Sequence, residues 1–143
     1  MAPQNQSAVV ELRIPCRPEF VGVARLAILG VASRMPFSYD EVEDIRLAVG
    51  EACTTAVERA ARTNQTGTSL LIRSEIIDSK LTIDVIDEVT QGPPPVPDET
   101  ASVEGLDEEN IGALLMELLV DEIKIEPTAG HGTRVQMVKY AGS

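Results

Sequence analysis

Aromatic side chains are nearly absent from this chain: two Phe, two Tyr and no Trp make up 3% of its 143 residues. Its core must therefore be aliphatic, because rings that normally supply much buried area are missing. Cysteine is equally scarce. Cys16 and Cys53 are the only two, and Cys53 falls within a helical stretch. They make no disulfide framework and read as buried reduced thiols in a cytoplasmic protein. Basic charge is outweighed, with 12 Lys and Arg against 23 Asp and Glu and a formal net charge of −11. Non-specific binding to nucleic acid or to an anionic membrane is excluded on that balance, since phosphates would be repelled. A protein partner with a basic patch is the electrostatically favoured alternative. No apolar run approaches the ~20 residues that span a bilayer. The opening MAPQNQSA has neither a charged region nor an apolar one, so no secretion signal is expected.

What the chain does have is one long helical stretch, Ser38 to Arg62, SYDEVEDIRLAVGEACTTAVERAAR. Ser38 and Glu41 form a capping box, in which each side chain satisfies a backbone N–H of the first turn. Asp40, Glu41, Glu43 and Asp44 suit the positive end of the helix dipole. Val42, Ile45, Val49, Ala52 and Ala56 give a narrow apolar stripe. Beside it Leu47, Glu51, Thr55 and Arg59 follow one another at intervals of four, on a second face. Small residues around Glu51 (Gly50, Ala52, Cys53, Thr54) leave room for a bulky group to approach. Glu51 reads either as a candidate catalytic carboxylate or as an ordinary solvated one.

Around this stretch, residues 9–14 alternate as a first strand, and Pro15 and Pro18 break it. Glu19 to about Met35 fits a helix through Val23, Leu26, Ala27, Leu29 and Val31, with Arg25 at its middle; Gly22 and Gly30 weaken it locally. Thr63–Thr68 is a polar turn. SLLIRSEIID and SKLTIDVIDE form a hairpin about Asp78-Ser79-Lys80. Residues 89–107 are rich in proline and hold neither a helix nor a central strand; their length favours a lid loop over a plain connector. Leu106–Val120 is a helix expected to bury Ile111, Leu114, Leu115, Leu118 and Leu119. Two closing strands flank the glycine turn AGHGT. The order β-α-α-β-β-loop-α-β-β implies an α+β two-layer sandwich, with helices on one face of a mixed, mostly antiparallel sheet. One domain over residues 1–143 is expected, with 1–6 and 141–143 as tails.

The segment PEFVGVARLAILGVASRMPFSYDEVEDIRLAVGEACTTAV resembles the N-terminal half of the anti-sigma-factor serine-protein kinases, members of the histidine-kinase-like ATPase superfamily. The resemblance runs from the first helix to the closing GHGTRV. It implies that Glu51 is the general base acting on a partner's serine hydroxyl. Four residues on, where the family has an Asn that holds magnesium on the triphosphate, stands Thr55, a shorter-reaching oxygen. Arg59 takes a position often filled by His and is counted with Thr55 among the cofactor-binding residues the resemblance implies. Asp87 matches the Asp that accepts a hydrogen bond from the adenine amino group, but the glycine two residues on is Val89. Asn110-Ile111-Gly112 keeps one glycine of the phosphate-binding pair, behind Asp107, Glu108 and Glu109, whose charge would repel a triphosphate. Gly130-His131-Gly132-Thr133 keeps the family's turn, in which Gly132 and Thr133 lie on the nucleotide side. Taken without the resemblance, Asp87 is a polar strand end and the turn an ordinary glycine hairpin. Arg25 matches an arginine that contacts the partner.

The family resemblance therefore implies ATP and Mg as cofactors, a sigma factor and an anti-sigma antagonist as partners, and a homodimer through the first strand and neighbouring helix. The nucleotide motifs depart from the pattern at three of four places. Independent losses of ~1–3 kcal/mol each would lower ATP affinity by orders of magnitude. Two functions stay open: an anti-sigma serine kinase, and a pseudokinase that binds the same partners without phosphoryl transfer. A switch protein acting on some other regulator is a third, blander option.

Overall fold

The computed structural model describes residues 7–90, 108–130 and 132–142, without the side chains of 108–110. Of the expected lid, residues 89–107, the part 91–107 lies outside the described residues, as does His131.

The element order is the one expected. It comprises β1 (Ala8–Pro15), a 3-10 turn (Pro18–Phe20), α1 (Val21–Ala32), α2 (Tyr39–Arg62), β2 (Ser69–Ile77), β3 (Lys80–Asp87), α3 (Glu108–Leu119), β4 (Glu122–Pro127) and β5 (Thr133–Tyr140). The strands form one sheet in the order β1-β2-β3-β5-β4. All four pairings are antiparallel, so the mixed sheet expected from the sequence has no parallel pair among the described residues. β2 and β3 pair from Ile77↔Lys80 to Leu70↔Asp87. The turn between them needs Asp78 at φ 54°, a left-handed conformation that Asp tolerates better than most residues.

Side chains alternate across each strand with a period of two. Leu70, Ile72, Leu81, Ile83, Val85, Val135 and Met137 are buried and join the helices in a single aliphatic core. The other face is polar: Asp84 accepts from Arg134 at 3.2 Å and from Gln136 at 3.0 Å. This one-sided pattern is what an antiparallel sheet covered on a single face requires.

α2 is the central helix. Its capping box forms as read, with Ser38 Oγ accepting from Glu41 N–H at 3.1 Å and Glu41 Oε1 accepting from Ser38 N–H at 2.8 Å. Ile45, Val49, Ala52 and Ala56 are buried, with Val42 partly so. The flanking helices turn differently from expectation. α1 buries Val21, Ala24, Ile28 and Ala32, while Leu26 is 70% exposed. In α3 the expected inner face points outward: Ile111, Leu114, Leu115 and Leu118 are exposed, Leu118 by 84%. Leu119 is partly buried, and Met116 and Val120 are buried. The reason is steric. The side that can approach α2 closely is the one carrying Gly112 and, one turn later, Met116, not the one with the bulkiest residues.

Candidate functional site

Positions four apart in a helix stack on one face, and α2 delivers Glu51, Thr55 and Arg59 as successive steps of such a row. Glu51 and Thr55 are half-buried, while Arg59 is only 6% exposed. Glu51 reaches the start of α3. A Cβ added at Gly112 would lie 2.5 Å from Glu51 Oε1, so the carboxylate rests directly against Gly112. Gly112 and Glu51, singled out separately in the sequence, thus meet.

Two turns on from Glu51, the row ends in a closed polar triangle. Arg59 Nη2 donates to Asp87 Oδ2 at 3.0 Å, with side-chain exposures of 7% and 3% for the two partners. Arg59 Nη1 donates to Thr133 Oγ1 at 3.0 Å. The second carboxylate oxygen, Asp87 Oδ1, accepts from the N–H of Val89 at 3.0 Å and from the N–H of Thr133 at 3.3 Å. Both oxygens of Asp87 are therefore engaged by α2, by the strand's own continuation and by β5. Val89 is fully buried. Gly132 belongs to the same closure: a Cβ there would overlap the carbonyl oxygen of Asp87, so the glycine turn is pressed directly onto the end of β3. Cys16 lies close enough for Asp87 to help raise its thiol pKa, after burial as the main cause. Burial pushes the Cys53 thiol up to about 12. Both thiols are free and buried, as read from the sequence.

These geometries bear on the cofactors implied by the family. An adenine amino group needs a carboxylate oxygen to accept it, and both oxygens of Asp87 already accept from the chain. At the base end adenine would have to share Asp87 with Arg59 and with the Val89 and Thr133 backbone. For a metal, the oxygens of Glu51 and Thr55 share one face of α2. Among the described residues no three of His, Cys, Asp and Glu come together in a group that could hold an ion.

Arg25 lies apart from this row. Its guanidinium rests against the backbone of α2, so close that a Cβ at Gly50 would collide with Arg25 Nε. It lines a groove of about 450 Å³ with Val23, Leu26, Leu29 and Arg46. Arg46 donates to Glu43 at 2.5 Å, but its buried Nε has no hydrogen-bond partner among the described residues. Sequence reasoning had singled out Arg59, Asp87 and Thr133 without joining them. The available signal was charge: a guanidinium, once buried, calls for a carboxylate. Also unforeseen was the clasp of Gln65 on Thr90. The Gln65 amide donates to the Thr90 carbonyl and accepts from the Thr90 N–H, each at 2.7 Å, fixing the end of the segment that leaves β3.

No helix among the described residues is long and apolar enough to cross a membrane. A family model described as the histidine kinase-like ATPase domain matches residues 14–139. The serine-protein kinase RsbW of Bacillus subtilis (strain 168) is 37% identical over 146 aligned residues, covering 96% of this chain and 88% of that protein. The protein of the same name from Oceanobacillus iheyensis is 37% identical over 139 residues, covering 92% of this chain and 85% of its own. That from Staphylococcus aureus (strain MW2) is 32% identical over 144 residues, covering 96% and 89%. With a sheet, helical layer and element order of the expected kind behind these matches, the chain belongs to the anti-sigma-factor serine-protein kinases of the RsbW type, within the histidine-kinase-like ATPase superfamily.

Proposed function

We propose that the protein is an anti-sigma regulatory factor acting by partner switching, binding a sigma factor and an anti-sigma antagonist and phosphorylating the antagonist on serine. The observation that carries this is Glu51, a half-buried carboxylate resting against Gly112 at the start of α3. In that position Glu51 would take the proton from the partner's serine hydroxyl, and Thr55, one turn on, is the residue that would hold magnesium. ATP would supply the phosphoryl group. Arg25, exposed at the groove between α1 and α2, is the partner-binding candidate. We propose a cytoplasmic homodimer through β1 and the neighbouring helix.

The test is co-elution with candidate sigma factors and antagonists, followed by phosphoserine analysis of the antagonist after incubation with ATP and magnesium. Loss of a general base lowers rates by about 10²–10⁴-fold. Glu51→Ala is expected to lose transfer on that scale while still co-eluting with its partners. Transfer at the wild-type rate in Glu51→Ala would remove the base role. Failure of the wild type to bind any sigma factor or antagonist would remove the anti-sigma reading.

The Arg59–Asp87 pair supports a second reading, a binding module with the same partners and no transfer. Under it, complexes form and no phosphoserine appears with the wild-type protein.

A further inference from the structure

We infer that Arg59 is an intramolecular competitor of the nucleotide base: its guanidinium occupies the recognition carboxylate Asp87, and adenine must compete with it there. This rests on the reading of Asp87 as the family's base-recognition carboxylate. It goes beyond that reading in assigning the base-recognition carboxylate a partner from within the chain.

The chemistry decides between the two competitors. Adenine offers Asp87 a neutral amino group. Arg59 offers a charged N–H at 3.0 Å, and charge-assisted hydrogen bonds are about twice as strong as neutral ones. The rigid fork of the guanidinium places a second N–H on Thr133 Oγ1 at 3.0 Å, engaging the other side chain that the family turns toward the base. An adenine entering here would have to compete with a buried cation for a carboxylate 3% exposed. Val89 and Thr133 donate to the other oxygen from the backbone, so an adenine amino group would meet a carboxylate already engaged on both oxygens. Arg59 thereby also ties α2 to β3 and β5.

A purely structural pair and a competitor of the base differ in one readout. Removing the first only lowers stability. Removing the second also strengthens adenine binding. The experiment is titration of a fluorescent adenine nucleotide, with ATP and GTP as competitors, against the wild-type chain, Arg59→His, Arg59→Gln and Arg59→Lys, with folding checked by circular dichroism. His and Gln do not reach Asp87 with a charged fork, whereas Lys keeps the cation. Arg59→His is expected to bind the adenine probe at least about tenfold more tightly than wild type, one recognition contact's worth, and to prefer ATP over GTP. Arg59→Lys is expected to stay near wild type. Should Arg59→His fail to fold, Arg59→Gln carries the same expectation.

Micromolar, ATP-preferring binding by the wild type that weakens in the folded variants would overturn the inference and make Arg59 a nucleotide ligand. Equal, undetectable binding in wild type and folded variants would also overturn it, because Arg59 would then not be what adenine competes with. Sigma-factor co-elution measured on the same preparations reports on the proposed function independently of either result.

Discussion

α2 and α3 both space aliphatic residues at intervals of three and four, yet only α2 turns its stripe inward. In α2 the stripe is narrow and small, Ile45, Val49, Ala52 and Ala56, and it lies over the sheet with a helix on either side. In α3 the large residues Ile111, Leu114, Leu115 and Leu118 face outward, and the contact with α2 is made at Gly112. A periodic stripe thus shows that a helix has two unlike faces. Which face is covered depends on how near its neighbour can come, and close approach is governed by the smallest residues.

Substitutions that separate the two helices sharpen this comparison. The largest effect is expected for Ile45→Ala, a fully buried side chain under α2, at ~2–5 kcal/mol of stability in urea unfolding. Met116→Ala, on the inward side of α3, should fall toward the lower end of that range, because α3 packs at the margin of the core. Ser38→Ala removes the side chain that caps α2 and is expected to cost ~1 kcal/mol. Leu118→Gln should stay within ~0.5 kcal/mol of wild type, as surface changes do. A loss at Leu118 as large as that at Ile45 would break the comparison, since it would mean the outer stripe is covered in solution.

Legibility in the sequence followed the range of the interaction. The capping box and the hairpin at Asp78 were readable because all their partners lie within a few residues. The helix row Glu51, Thr55, Arg59 was readable from its spacing alone. The triangle of Arg59, Asp87 and Thr133 was not, because it joins α2, β3 and β5 across long stretches of chain. The family pattern further disguised it, since it cast all three as ligands of a nucleotide and not of one another. α3 was misjudged because large aliphatic residues were equated with buried ones, although most proteins keep much apolar surface exposed.

The sheet order carries a consequence for how the chain assembles. β2 and β3 meet across Asp78 and Ser79, and β4 and β5 across another short turn, whereas Ala8 must find Ile76 and Asp84 must find Gln136. Closing long loops is entropically dearer than closing short ones and slows folding. The two hairpins and the capped helix are thus the local pieces, and the β1–β2 and β3–β5 seams join late. Until they do, β2 and β3 each present an unpaired edge, the feature by which half-built sheets stick to one another. The strong acidity of the chain gives such intermediates a common charge, so mutual repulsion protects them in the interval before the seams close.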